Sequence, residues 1–174
     1  MRLDSDDFSL FGLPPHFALD RAELDAQWRR LQAEVHPDRF TSEGTSAQRI
    51  AMQWAVRVNE AYTRLKDPLR RAAYLCELRG VPIAAETRTA MPAAFMMQQL
   101  QWREALDEAD SLADVERLSE ELLRSERLAL ADLAEQLDLR QDSEAAAAQV
   151  RALMFNARFR QTLERRLDAL DATR

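Results

Sequence analysis

Soft and imidazole ligands are nearly missing from this chain of 174 residues: one cysteine, Cys76, and two histidines, His16 and His36. A single cysteine excludes an internal disulfide and leaves no cysteine-rich metal framework, and the two histidines have no zinc-like spacing. Glycine and proline are scarce as well, 3 and 6 in number, and every one lies at or before Pro92. Beyond Pro92 nothing strongly breaks a helix. Basic residues are outnumbered by acidic ones, giving a net charge of −6. That argues against a nucleic-acid protein, which needs surplus cations to neutralise phosphates. Long apolar runs are absent too: no stretch approaches the ~20 residues of a membrane span. Met1 to Asp7 carries three aspartates and no apolar run, unlike a signal peptide. The expectation is a cytoplasmic chain.

What is present suits a folded, helical protein. Apolar residues make up 47% and charged residues 31%, a globular balance rather than a disordered one. The punctuation divides the chain into a segmented front half and a long-helix back half. In the front, Asp20 with Glu23 resembles a capping box, and Leu24, Trp28, Leu31 and Val35 follow at helical spacing. This helix must end before Pro37, since the residue before a proline is pushed out of helical dihedrals. A polar loop containing Gly44 comes next. Thr45-x-x-Gln48 offers a second capping box, ahead of an apolar stripe of Ala51, Ala55, Val58, Tyr62 and Leu65. Asp67-Pro68 restarts a shorter helix, which Gly80 and Pro82 end. The prediction is an antiparallel helix pair with a short N-terminal piece at Phe8 to Phe11 and a short C-terminal helix, an all-α domain over residues 1–80.

Residues 81–91 read as a linker. From about Pro92 to Arg174 the pattern predicts three helices: Pro92 to Ala109, a second capped by Ser111 with Asp114 and running to Leu139, and a third from Asp142 or Ser143 to Leu170. Short connections favour antiparallel neighbours, hence a three-helix bundle. On the first of these helices Phe95, Gln99, Trp102 and Leu106 share a core stripe. Met96, Met97 and Leu100 centre nearly opposite, beside Gln101, Glu104 and Glu108. A second apolar patch on a surface helix, mixed with carboxylates, fits an adaptable binding surface. Its competing reading is burial on both sides. On pattern alone Phe155 belongs to a core stripe with Phe159, Leu163 and Leu170.

The most informative triplet is His36-Pro37-Asp38. Any chosen tripeptide arises by chance in a chain of this length about 2% of the time, so the letters alone are weak. Their context is specific. The triplet ends an amphipathic helix and precedes an antiparallel partner. Asn59-Glu60-Ala61-Tyr62 and Asp67-Pro68-Leu69-Arg70-Arg71-Ala72 follow downstream. On these residues the first 80 positions resemble the J-domain family. The resemblance implies that the His-Pro-Asp loop binds an Hsp70 and stimulates its ATPase, with a basic helix face nearby. That face would be Arg21, Arg29 and Arg30, with Arg39 after the loop, thinned by Glu23, Asp25 and Glu34.

Phe8-x-Leu10-Phe11-Gly12-Leu13-Pro14 and Ala94-Phe95-Met96-Met97-Gln98-Gln99-Leu100, continuing through Arg103-Glu104 and Leu106-Asp107-Glu108, extend the resemblance along the whole chain. It is similar to the HscB family of iron–sulfur co-chaperones. That similarity implies a J-domain, then a three-helix bundle that binds an iron–sulfur scaffold protein of the IscU type and delivers it to a specialised Hsp70 of the HscA type. The scaffold-binding positions would fall on Met96, Met97, Leu100, Gln101, Glu104, Glu108 and Phe155. Gln101 stands where the family commonly has an acidic residue, so the electrostatic part of that contact is expected to be weaker.

An enzyme is not expected, since the sequence holds no phosphate-binding glycine loop and no nucleophile–base pairing. Cys76 reads as a small buried hydrophobe. With one cysteine and two histidines, no resident metal or cofactor is expected, and the cluster would belong to the partner. The chain is expected to be a monomer. Two other readings stand beside this one. One is a general J-protein for unfolded clients; the other is a helical adaptor that stimulates no ATPase.

Overall fold

A computed structural model describes residues 4–83 and 93–172. The described residues are built from helices α1 (Asp7–Phe11), α2 (Arg21–Glu34), α3 (Thr45–Lys66), α4 (Pro68–Leu78), α5 (Ala93–Asp107), α6 (Leu112–Ala134) and α7 (Ser143–Asp171). A 3-10 segment, Pro37–Glu43, joins α2 to α3, and a π turn, Glu135–Leu139, prolongs α6. The chain is all-α, as the punctuation predicts. It divides into two compact units, up to Leu75 and from Cys76 onward. The division lies within α4, a few residues before the boundary read from Gly80. Most of the expected linker, residues 84–91, and the expected helix start at Pro92 lie outside the described residues.

The first unit is organised around α3. Asp6 caps α1 by accepting from the Ser9 N–H at 2.9 Å, and Gly12, at φ +67, closes it. There the Leu13 N–H reaches the Phe8 carbonyl at 3.0 Å and the Gly12 N–H reaches Ser9, a closure that calls for a left-handed residue. The expected cap of α2 is half realised: Asp20 accepts from the Ala22 and Glu23 N–H groups at 2.8 and 3.3 Å. Two expectations need correction. The loop after Pro37 is a 3-10 segment, and Thr45 does not cap α3. Gly44, at φ +91, takes the cap position, because leaving the 3-10 turn needs a positive φ that only glycine adopts cheaply. Gln48 therefore donates its N–H to the Gly44 carbonyl at 3.2 Å, and Thr45 is already helical.

Leu24, Leu31, Val35, Ala51, Val58, Ala61 and Leu65 are buried together with Phe8 and Phe11. Beneath them Asp7 is fully buried. Arg64 donates to its Oδ2 at 2.7 Å, and the Tyr74 hydroxyl accepts its backbone N–H at 2.9 Å. Arg57 Nη2 lies 2.7 Å from Asp7 Oδ1 while its N–H is aligned on the Ser5 carbonyl. Removing one partner of a buried ionic cluster strands the others. Asp7→Ala is expected to destabilise the chain by roughly 2–3 kcal/mol in urea unfolding, below the usual buried-pair range because both guanidiniums reach solvent. A loss under about 0.5 kcal/mol would show the cluster to be ornamental.

In the second unit α6 and α7 run antiparallel, and α5 lies along the C-terminal part of α7 in the same direction. Trp102, Ala109, Val115, Leu118, Leu122, Phe159 and Leu163 form the core at this end. The capping box at Ser111 is complete: Asp114 N–H donates to Ser111 Oγ at 3.3 Å and Ser111 N–H to Asp114 Oδ2 at 3.1 Å. The Ser111 hydroxyl holds the Asp114 carboxyl below its ordinary pKa. Arg160 pairs with the buried Glu126 across α6 and α7. With no glycine available, the α6–α7 turn places Gln141 at φ +54, and Asp142 then caps α7 by accepting from the Ala145 N–H at 3.0 Å.

Candidate functional site

Two surfaces, one in each unit, carry the residues singled out from the sequence. The first is the loop after α2. Val35 leaves the helix at ψ +9 but stays buried, which pins the base of the loop. His36 is extended at φ −63 and ψ +127, the conformation a following proline enforces. Pro37 then opens the 3-10 segment, and Arg39 N–H closes the turn on the His36 carbonyl at 3.1 Å. The Asp38 N–H donates to His36 Nδ1 at 3.3 Å. Both side chains are exposed, 55% for His36 and 87% for Asp38. The proline-restricted backbone thus presents an imidazole and a carboxylate with little freedom left to lose on docking.

The flanking arginines differ from one another. Arg39 Nη1 donates to the Ala33 carbonyl at 3.1 Å, so this side chain secures the turn to the end of α2. Arg30 lies 3.8 Å from Glu34 Oε1, and Arg29 is exposed. Arg21 is engaged: its Nε donates to Asp25 at 2.7 Å and its Nη2 to the Tyr62 hydroxyl at 3.0 Å. The Arg21 guanidinium holds the Asp25 carboxyl below its usual range. Behind the loop, Asn59 Oδ1 accepts from Trp28 Nε1 at 3.0 Å and from Gln32 Nε2, and Tyr62 stacks on Trp28 at 4.5 Å. The Asn59-Glu60-Ala61-Tyr62 motif therefore sets the register of α2 on α3.

The second surface is α5. Its inner face is fixed: Trp102 stacks on Phe159 at 5.9 Å and donates to Glu121 Oε1 at 3.1 Å. Gln99 Nε2 donates to Asn156 Oδ1 at 2.6 Å inside the bundle. The outer face is uncovered among the described residues. Met96, Met97 and Leu100 are 53%, 59% and 52% exposed, and Gln101, Glu104 and Glu108 are exposed beside them. Three large apolar side chains half in water on one helix face is not what a core needs. Phe155 is half-buried, edge-to-face with Phe95 at 5.9 Å, with the Arg103 guanidinium 5.8 Å from its ring centre.

Comparison with known proteins bears on the whole chain. A family model described as the HSCB C-terminal oligomerisation domain matches residues 91–164. The co-chaperone HscB homologue of Burkholderia multivorans is 48% identical over 172 residues, covering 97% of this chain and 98% of that protein. That of Bordetella avium is 49% identical over 160 residues, covering 91% and 95%. This chain belongs to the HscB co-chaperone family. Among solved structures, HscB from Vibrio cholerae matches with a TM-score of 0.81 and 37% identity, covering 95% of this chain and 99% of that one. Human HscB shares the fold at a TM-score of 0.88 and 24% identity, covering 95% and 84%.

In this HscB-family chain Cys76 is fully buried, and burial pushes its thiol up to about 11. No described helix is long and apolar enough to cross a membrane. Two features of the α5 surface carry no local signal in the sequence. The buried Gln99–Asn156 bond joins residues 57 apart, so no local spacing could have signalled it. The arginines beside Phe155 look like solvated helix positions until α5 and α7 are brought together.

Proposed function

We propose that this chain couples an iron–sulfur scaffold protein to an Hsp70: its α5 face binds a scaffold of the IscU type, and His36-Pro37-Asp38 engages an HscA-type Hsp70 and stimulates its ATPase. The observation that carries the reading is the exposed trio Met96, Met97 and Leu100 on a helix whose inner face is locked. A fixed apolar patch with Glu104 and Glu108 at its side suits one folded client better than assorted unfolded chains. Gln101, and Phe155 with its half-buried ring, complete the scaffold-binding set, and Arg29, Arg30 and Arg39 the Hsp70-binding set. On this reading the chain works in the cytoplasm as a monomer, performs no catalysis of its own, and the cluster travels as cargo on the scaffold.

The loop acts through the partner's conformational equilibrium. A carboxylate at Asp38 can accept a bidentate bond from a partner arginine, and favouring one partner state shifts its population. The test is Hsp70 ATPase turnover with this chain, with the scaffold, and with both. Both together should exceed the sum of the separate stimulations. Equal stimulation with and without scaffold would assign the chain to general clients, and no stimulation would make it an adaptor.

A further inference from the structure

Between α5 and α7 a cavity of about 380 Å³ is lined by Arg103, Leu106, Asp107, Phe155, Arg158, Phe159 and Thr162. Its floor is aromatic and aliphatic, from Phe155, Phe159 and Leu106. Its rim is mixed: Arg103 and Arg158 against the single carboxylate of Asp107. Among the described residues neither guanidinium is paired with a carboxylate, Arg103 resting instead over the Phe155 ring. Further along α7, Arg165 donates to the Gln161 carbonyl at 3.2 Å and to the Thr162 hydroxyl at 3.4 Å. Arginine thus runs beside the groove in a chain whose net charge is −6. The groove is continuous with the α5 face through Phe155 and through the column Met96, Leu100 and Arg103, spaced at i, i+4 and i+7.

We propose that this groove receives an acidic segment of the scaffold partner that carries one apolar side chain: the apolar group fills the space over Phe155 and Phe159, and its neighbouring carboxylates meet Arg103 and Arg158. Arg103 and Arg158 are then specificity residues that orient the partner on the apolar trio. The logic is charge alternation. Glu104 and Glu108 favour basic groups on one side of α5, and the two arginines favour acidic groups on the other, so a partner docked in reverse meets like charges on both. The identity of the partner rests on the function proposed above; the chemistry of the groove does not.

The test separates those two layers. The full chain is titrated with the peptide acetyl-Asp-Phe-Asp-amide, and with its Asn-Phe-Asn counterpart, while amide signals are followed by NMR. The acidic peptide should shift signals at residues 103–107 and 155–162, the neutral one less, and Arg103→Glu/Arg158→Glu should weaken the acidic peptide about tenfold. Arg158→Gln, at an exposed position, gives the same comparison should the double reversal lower helix content. In parallel, the double reversal should weaken binding of the IscU-type scaffold by a similar factor. Peptide binding that ignores the charge reversal, or shifts confined elsewhere, overturns the groove. Peptide binding that obeys it, with a scaffold indifferent to both arginines, overturns the scaffold as the occupant. If wild-type chain fails to bind the scaffold at all while the peptide obeys the reversal, the proposed function falls and the groove stands.

Discussion

Asp38→Ala is expected to reduce the stimulation of a partner Hsp70 to the basal ATPase rate while leaving the thermal midpoint of this chain within a degree or two. The expectation follows from where the carboxylate sits. Asp38 is 87% exposed at the first turn of the 3-10 segment, and the loop is held from below by buried Val35 and by Arg39 on the Ala33 carbonyl. Removing the carboxylate therefore costs the fold little, since surface substitutions away from caps and cores stay within about 0.5 kcal/mol. On the proposed reading the partner loses a charge-assisted bond, and such bonds contribute roughly 1.5–3 kcal/mol each. The measurement is single-turnover ATPase over a range of co-chaperone concentrations, with unfolding followed in parallel. Stimulation that persists at saturating concentration would place the active contact outside the triplet. A drop accompanied by a large loss of thermal stability would mean that the loop, and not its chemistry, had failed.

The second large effect is expected at α5. Met96→Ala, Met97→Ala and Leu100→Ala combined should weaken the scaffold complex by about 10²- to 10³-fold, or roughly 3–4 kcal/mol, as for loss of a buried anchor cluster at an interface centre. The free chain should be barely altered, because these side chains are already half in water and fill no core space. Titration calorimetry with the isolated scaffold reads the first quantity and circular dichroism the second. The loss should appear chiefly in the dissociation rate, since the trio is uncharged and does not steer encounter. An affinity within threefold of the wild type would remove α5 from the scaffold interface. ATPase stimulation by the triple variant without scaffold should remain intact, which separates the two functional surfaces.

How much of this was legible in the sequence differs by element. Asp20, Ser111 with Asp114, Asp67-Pro68 and Asp142 each mark a helix start with local chemistry, and the structure uses all four. Thr45 failed as a cap because Gly44 beside it could adopt φ +91 and a threonine could not cheaply do so. The 3-10 segment after Pro37 was hidden because its residues read as an ordinary polar loop. On α5, helical spacing alone separated Trp102 and Gln99 from Met96, Met97 and Leu100, and their burial follows that division. Phe155 could not be settled this way. Its half-buried state depends on Phe95 and Arg103, residues more than 50 positions away whose approach is a property of the folded bundle.

The Gln99–Asn156 bond has a consequence for how the α5 face is offered. A helix held only by apolar contacts can roll or slip on its neighbours at modest cost, and a mobile face meets its partner correctly only part of the time. Rolling α5 here would leave two buried amides without partners, a penalty of roughly 1–3 kcal/mol for each stranded group. The bond therefore resists rotation of α5 and holds the azimuth of Met96, Met97 and Leu100; if the proposed partner docks there, less affinity is lost to conformers facing the wrong way.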